Sequence, residues 1–250
     1  MLLVKVLLVI FTITLAISGL LVMIRKWVGF SDRHRDRIQS PQFGFFATLY
    51  AFFLGFAIVT LWNNFVFVKT NVTSEAYSLL SSYRISESLP NSADFRKELK
   101  AYVRAVLDDE WSSMAQDSMS GKANRLIDSV WDRLQAMKPA DKQDNPIFVN
   151  IANHLNDAGR QRLSRAAALS GNLYEPIWVI IIFGLVATTY SLYFMHPDPN
   201  AIQMIFEFMV LFIVLACIYF IIDLATPFSG LVRVPPDSFQ EVYTEMLALR

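Results

Sequence analysis

The chain lacks most of what enzymes and disulfide-stapled secreted domains are built from. Its 250 residues include one cysteine and three histidines. The single Cys217 excludes an intrachain disulfide, and the histidines are too far apart in sequence for a paired metal motif. The sequence contains no phosphate-binding glycine loop, dinucleotide fingerprint or nucleophile elbow. We therefore expect no enzyme activity, no cofactor and no metal site.

Charge is also scarce and evenly divided. Charged residues make up 18% of the chain, and the number of basic residues, 22, equals the number of acidic ones. Nucleic-acid-binding proteins concentrate positive charge on one face, so we expect no nucleic-acid partner. The densest acidic cluster, residues 108–110, is best explained as a solvated helix face, because neighbouring positions on a helix point in different directions.

Long apolar runs are what the chain has in abundance, and 54% of its residues are hydrophobic. Four runs have about the 20 residues that a helix needs to cross a bilayer: Leu2–Ile24, Phe43–Trp62, Ile177–Met195 and Ile202–Ile222. A polar stretch with helical periodicity separates the second run from the third. The sequence predicts an all-α integral membrane protein with four transmembrane helices (2 + 2) and a helical soluble domain inserted between helices two and three.

The first run has an alternative interpretation as a cleaved signal peptide, since Lys5 precedes Ala-Ile-Ser at 16–18. The run is longer than a signal peptide's apolar core, and Arg25 and Lys26 follow it like a stop-transfer flank. We predict an uncleaved helix.

The predicted organisation has four parts. These are residues 1–68 (two spans and the basic connecting loop Arg25–Gln42), 69–173 (the helical soluble domain), 174–223 (two spans) and 224–250 (a proline-rich C-terminal segment). Helical periodicity continues beyond the second span as far as Leu89-Pro90. Later signals are an N-cap at 91–92, apolar stripes at 95–114 and 123–137 separated by Ser120-Gly121, a polar loop at 139–145, a helix start at Asn145-Pro146 and a turn at 196–200.

The second span is rich in aromatic residues, and Thr48, Phe52 and Phe56 follow one another at intervals of four, so they share a helix face. In a symmetric oligomer that face would form stacked rings, a hydrophobic constriction that gates by dewetting. Packing between helices and contact with lipid is the alternative. The polar residues that discriminate are Thr48, Thr60, Asn63 and Asn64: if they face a shared axis, conduction is favoured.

Two further features stand out near the last span. Glu207 is an ionisable residue at membrane depth, which indicates a function or a buried partner; an interfacial position reached by water is the alternative. Lys5 is the partner that we expect if the first and fourth helices pack together. After the span, prolines and a glycine predict a turn and an extended stretch through Pro236, able to pack back on the soluble domain.

Several of these segments resemble the bacterial bestrophin-like membrane family, long catalogued as a domain of unknown function. The resemblance is carried by Tyr50–Phe56, Ala76–Arg84, Leu107–Trp111 and Thr226–Pro235. It extends remotely to bestrophin channels through Phe-Phe-Leu-Gly-Phe at 52–56, and through Pro227-Phe228 followed by Gly230. Thr226 opens this C-terminal motif.

The resemblance implies a homopentameric anion channel lined by the second helix, with Phe52, Phe56 and Thr48 at the hydrophobic neck. Two departures matter. Ser229–Pro236 contains no carboxylate, so we expect no calcium gating. The second span has no fixed positive charge, which leaves anion selectivity without an evident source. The partners implied are membrane lipid, other copies of the chain and inorganic ions.

Orientation does not follow from charge, because positive residues within about 20 positions of a span are evenly divided. Five lie in the loop between the first two spans (Arg25, Lys26, Arg33, Arg35, Arg37), and six lie on the other side (Lys5, Lys69, Arg160, Arg162, Arg165, Arg233). The resemblance places the soluble domain in the cytoplasm and the chain in the bacterial inner membrane. Two functions stay open: an ion channel, and a non-conducting, membrane-anchored interaction or sensor protein that acts through its soluble domain.

Overall fold

The computed structural model describes residues 2–28, 41–137, 144–170, 175–194 and 200–249, and every regular element in these ranges is helical. The helices are α1 (Leu2–Val28), α2 (Pro41–Ser86), α3 (Ala93–Ala105), α4 (Trp111–Met114), α5 (Gly121–Ala136), α6 (Asn145–Ala167), α7 (Glu175–Phe194), α8 (Ala201–Ala225) and α9 (Asp237–Ala248). A π-helical turn, Val106–Glu110, joins α3 to α4, and a 3-10 turn, Ala168–Ser170, follows α6. The predicted all-α class is confirmed.

Four of these helices, α1, α2, α7 and α8, are long and apolar enough to span a membrane. This confirms the predicted 2 + 2 order around a helical insert. The chain forms two compact units. One contains Met1–Trp62 and Leu173–Ala225, and the other contains Asn63–Asn172 and Thr226–Arg250.

Helix α2 belongs to both units and is by far the longest, with 46 residues. It has no proline after Pro41 and no glycine after Gly55, so nothing interrupts its backbone hydrogen bonds before Ser86. At 1.5 Å per residue it is about 70 Å long, more than twice the thickness of a bilayer's hydrocarbon core. The prediction that the helix continues well past the apolar run is confirmed, although it ends three residues before Leu89.

Several predicted boundaries need correction. Arg25 and Lys26 lie in the last turn of α1, so the connecting loop begins after Val28; most of the loop, 29–40, lies outside the described residues. The same holds for 139–143 of the predicted polar loop and for 196–199 of the predicted turn. The helix that was expected to reach Ser120 ends at Met114.

The insert is organised around amphipathic helices. Ser120 caps α5, because its hydroxyl accepts a hydrogen bond from the backbone amide of Ala123 at 3.4 Å. Ser92 holds the N-cap position of α3 but makes no such side-chain bond. The α3 and α5 faces that carry Phe95, Leu99 and Val130 are fully buried.

The segment after α8 has a turn and bends at 227–232 and a short stretch without them at 233–235, in line with the expected turn and extended stretch, and it packs on the insert. The Phe228 ring meets the Trp111 ring edge-on at 6.1 Å, and Trp111 Nε1 donates to the carbonyl of Val234 at 3.4 Å. Helix α9, which follows, was not predicted. Its buried Phe239, Val242 and Met246 have helical spacing, and that spacing is the signal that sequence reasoning missed.

Candidate functional site

The first half of α2 has one packed face and one free face. Tyr50, Leu54 and Leu61 are buried on the packed face, where the Tyr50 hydroxyl donates to the carbonyl of Ile181 in α7 at 3.0 Å. Gly184 is required at this contact, because a Cβ at that position would overlap the Tyr50 ring. This close packing fixes which side of α2 is left uncovered.

The free face carries the predicted neck residues. Phe52 is 67% exposed and Phe56 62% exposed, and their rings stack with centroids 6.5 Å apart and planes 19° apart. Thr48 is also exposed, and its hydroxyl donates to the carbonyl of Gly44 one turn earlier at 2.8 Å. In a single chain, two aromatic rings and a locally satisfied hydroxyl are therefore presented together.

The three polar candidates further along α2 do not share one direction. At 100° per residue, Asn63 lies about 20° around the helix from Phe52, Thr60 about 80° and Asn64 about 120°. Asn63 and Thr60 are exposed, whereas Asn64 is half-buried, and its Nδ2 has no hydrogen-bond partner within the described residues. Only Asn63 continues the Phe52 face, with Thr60 at its edge.

The α2 face is electrically neutral. No lysine, arginine, aspartate or glutamate occurs from Pro41 to Val68, and the first charged side chain of α2 is Lys69. Within the described residues there is also no cluster of three or more His, Cys, Asp or Glu able to hold a metal ion. The exposed residues of this face therefore present aromatic rings, hydroxyls and amides, and no formal charge.

Glu207 has a partner, but not the predicted one. Its Oε2 lies 3.0 Å from Nη2 of Arg25, and both side chains are buried. Arg25 also donates through Nε to the carbonyl of Tyr193, and its guanidinium lies 5.3 Å from the centroid of that ring. Glu207 is only 2% exposed, so its side chain is covered by protein within one chain; its interfacial, water-reached position stays the alternative prediction.

The Lys5 prediction fails for a topological reason. Helices α1 and α8 pack together, but consecutive spans alternate in direction, so the end of α1 and the start of α8 lie on the same side of a membrane. Lys5 is at the other end of α1, about 30 Å from Arg25 at 1.5 Å per residue. It borders a groove with Leu215, Tyr219 and Ile222 instead.

A second buried charge cluster, in the insert, was not predicted. Arg165 of α6 binds Glu75 of α2 through two hydrogen bonds of 2.8 Å, and its Nη2 lies 2.8 Å from Glu110 Oε1. Arg162 binds both oxygens of Glu110, at 2.5 and 2.7 Å, and donates to the Tyr102 hydroxyl at 2.8 Å. We call these five residues the insert network.

The insert network corrects the interpretation of the acidic cluster. Asp108 is solvated, as predicted, but Glu110 is fully buried at the end of the π-helical turn. Burial and the nearby Glu75 carboxylate raise the pKa of Tyr102 above its ordinary value. Burial acts to lower the pKa of Arg165, but the Glu75 carboxylate, Tyr102 and Glu110 outweigh it and raise that pKa. Tyr102 therefore stays neutral and Arg165 stays positively charged at neutral pH.

The C-terminal motif forms a tight turn in the same unit. The Ser229 amide donates to the carbonyl of Thr226 at 3.1 Å, and the Val234 amide donates to the carbonyl of Pro227 at 2.8 Å. Gly230 has a φ of 82°, in the left-handed region where a side chain is strained. The turn therefore places the Phe228 side chain in the buried core of this unit.

Comparisons with known proteins agree with this architecture. The family model described as Bestrophin-like domain matches residues 11–239. A crystal structure of a bacterial Bestrophin homolog from Klebsiella pneumoniae is 14% identical with a TM-score of 0.74, covering 96% of this chain and 97% of the other. A point variant of that homolog has a TM-score of 0.73 at 14% identity, covering 96% and 99%. No curated protein matches the chain.

Proposed function

This chain belongs to the Bestrophin-like domain family, and from that premise we propose that it is an oligomeric ion channel whose pore is lined by α2. The observation that carries the proposal is the free, neutral, aromatic face of α2 at Phe52 and Phe56. Around a symmetry axis, copies of this face would form successive aromatic rings. A narrow apolar ring excludes water until it widens, so it acts as a gate.

We propose a homopentamer, the assembly that the resemblance of residues 52–56 to bestrophin channels implies. A single α2 does not enclose a channel, so the pore requires several copies, and homo-oligomers usually have closed symmetry. Mass measurement of the protein in lipid nanodiscs should give five chains. A sample that contains only monomers would overturn the proposal.

We further propose that the pore conducts small inorganic ions with a preference for anions and without calcium gating. Asn63 on the Phe52 face offers amide donors to an anion, and the absence of carboxylates in Ser229–Pro236 supports calcium independence. Flux of chloride and of potassium into liposomes, each with and without calcium, tests both parts. A preference for potassium, or dependence on calcium, would contradict them.

The neck itself is tested by substitution. Phe52→Ala with Phe56→Ala should widen the constriction and raise the ion flux. The matched control is Phe206→Ala, which removes an equally exposed ring from α8. If the wild type conducts and the double variant has the same ion flux, the constriction lies elsewhere.

The alternative, a non-conducting membrane-anchored interaction or sensor protein, is favoured if the intact oligomer conducts no ion tested. We propose the same membrane placement for either function: the bacterial inner membrane, with the insert in the cytoplasm. Gln116→Cys in a Cys217→Ala background gives an exposed reporter, unlike the buried cap residue Ser120. Labelling by an impermeant thiol reagent in intact cells would show that the insert faces outward.

A further inference from the structure

A basic groove lies on the insert between α3, the end of α2 and α9. It has a volume of about 580 Å³, and its walls include four cations of α3 and two tyrosines, with no carboxylate among the lining residues: Arg96, Lys97, Lys100, Arg104, Tyr83 and Tyr243. Like charges four residues apart on a helix repel one another. Arg96, Lys100 and Arg104 are spaced by four residues and therefore place three like charges on one face of α3.

The two arginines already have carboxylate contacts outside the groove. Arg96 Nη1 lies 4.0 Å from Glu87 Oε1, and Arg104 Nε lies 3.2 Å from Asp108 Oδ2. The lysines differ, since within the described ranges neither Lys97 nor Lys100 forms an ion pair. Their positive charges are available to a ligand.

The groove is also preorganised. The Tyr83 ring is buried and has Lys100 Nζ 5.3 Å and Arg96 Cζ 5.8 Å from its centroid. These cation–π contacts hold the two charged groups near one position before any ligand arrives, which lowers the entropy cost of binding. Leu247 and Leu249 add an apolar side to the groove.

We propose that this basic groove binds a phosphate-bearing anion, with Lys97 and Lys100 as its principal contacts. Arginine forks and lysine point charges together match the several oxygens and multiple negative charges of a phosphate group. The volume is within the range of small-molecule sites, about 300–1,000 Å³. A free phosphate compound and the headgroup of an anionic phospholipid offer the same chemistry.

The test is calorimetric titration of inorganic pyrophosphate into the full-length protein in phosphatidylcholine nanodiscs. Lys97→Gln with Lys100→Gln should weaken binding about a hundredfold, since a charged hydrogen bond contributes about tenfold or more. The matched control, Lys69→Gln with Lys122→Gln, makes the same charge change at two exposed lysines outside the groove and should keep wild-type affinity. Lys97→Arg with Lys100→Arg should also retain binding, and it serves if the glutamine variant fails to fold.

Repeating the titration in phosphatidylglycerol nanodiscs distinguishes the sources. If a phosphatidylglycerol headgroup competes for Lys97 and Lys100, pyrophosphate binds more weakly there, and the ligand is a lipid headgroup. If pyrophosphate binding is unchanged, the ligand is a soluble compound. The proposal is overturned if wild type binds no pyrophosphate, or if the control pair weakens binding equally. It is also overturned if the glutamine variant changes only the mass of the oligomer, because the groove would then be a contact between copies.

Discussion

Two buried ion-pair sites in this protein differ in how completely their polar atoms are satisfied. In the insert network, all four carboxylate oxygens of Glu75 and Glu110 accept hydrogen bonds or ion pairs. Between α1 and α8, Arg25 Nη1 and Glu207 Oε1 are buried without a hydrogen-bond partner in the described part of the chain. One site is a closed network and the other is a single pair.

The difference has a physical consequence. Desolvating a charge is offset only where geometry and additional hydrogen bonds are good. The insert network meets this condition and joins α2 to α6 and to the π-helical turn, so it fixes the orientation of the second half of α2. The Arg25 pair leaves two polar atoms that another partner, such as water or lipid, can satisfy.

The largest expected effect is that of Arg165→Met. It leaves Glu75 and Glu110 buried with less compensation, and breaking a buried pair costs about 3–5 kcal/mol. Thermal unfolding in nanodiscs and hydrogen exchange across α6 measure the loss. The control is Arg160→Met on the same helix, which removes an exposed surface pair with Asp157. Equal losses for the two variants would mean that the insert network contributes nothing specific.

Arg25→Met should have a smaller effect. It leaves one buried carboxylate without its partner rather than two, so we expect a loss of about 2–3 kcal/mol. Lys5→Met is the control, because Lys5 is exposed and lies at the other end of α1. If Arg25→Met costs as much as Arg165→Met, the incomplete satisfaction of the Arg25 pair does not matter.

The contrast also separates what the sequence could predict from what it could not. The number and order of the spans depend on local hydrophobicity, and the length of α2 depends on the absence of helix breakers, so both were predictable. The insert network was not, because Glu75, Glu110 and Arg165 lie far apart in sequence and come together only through packing. The partnership of Arg25 with Glu207 could have been predicted, since the alternating direction of the spans places both residues on the same side of the membrane.

The candidate site divides in the same way. The shared face of Thr48, Phe52 and Phe56 follows from a period of 3.6 residues. That period does not show which face of α2 is free, because the free face depends on the contact of Tyr50 with Gly184 and Ile181 in α7. The pore-lining role of that face stays a prediction.

Gly184→Ala tests that contact and should have the next largest effect. The added methyl group overlaps the Tyr50 ring, and overpacking costs about 1–2 kcal/mol. The control is Gly19→Ala, because a Cβ at Gly19 meets nothing within 4 Å. Unfolding temperature in nanodiscs is the measurement. A neutral Gly184→Ala would show that α7 yields to the methyl group, and that the free face of α2 is not fixed by this contact.

The smallest expected effect refines the comparison within the insert, where two helices begin with serine. Ser120→Ala removes the 3.4 Å side-chain bond to the Ala123 amide and should cost about 0.5–1 kcal/mol. Ser92→Ala should leave the start of α3 unchanged, because Ser92 makes no side-chain cap bond. Hydrogen exchange at the first-turn amides of α5 and α3 reads each helix separately. Faster exchange in α3 as well would mean that the Ser92 hydroxyl stabilises its helix by a route other than capping.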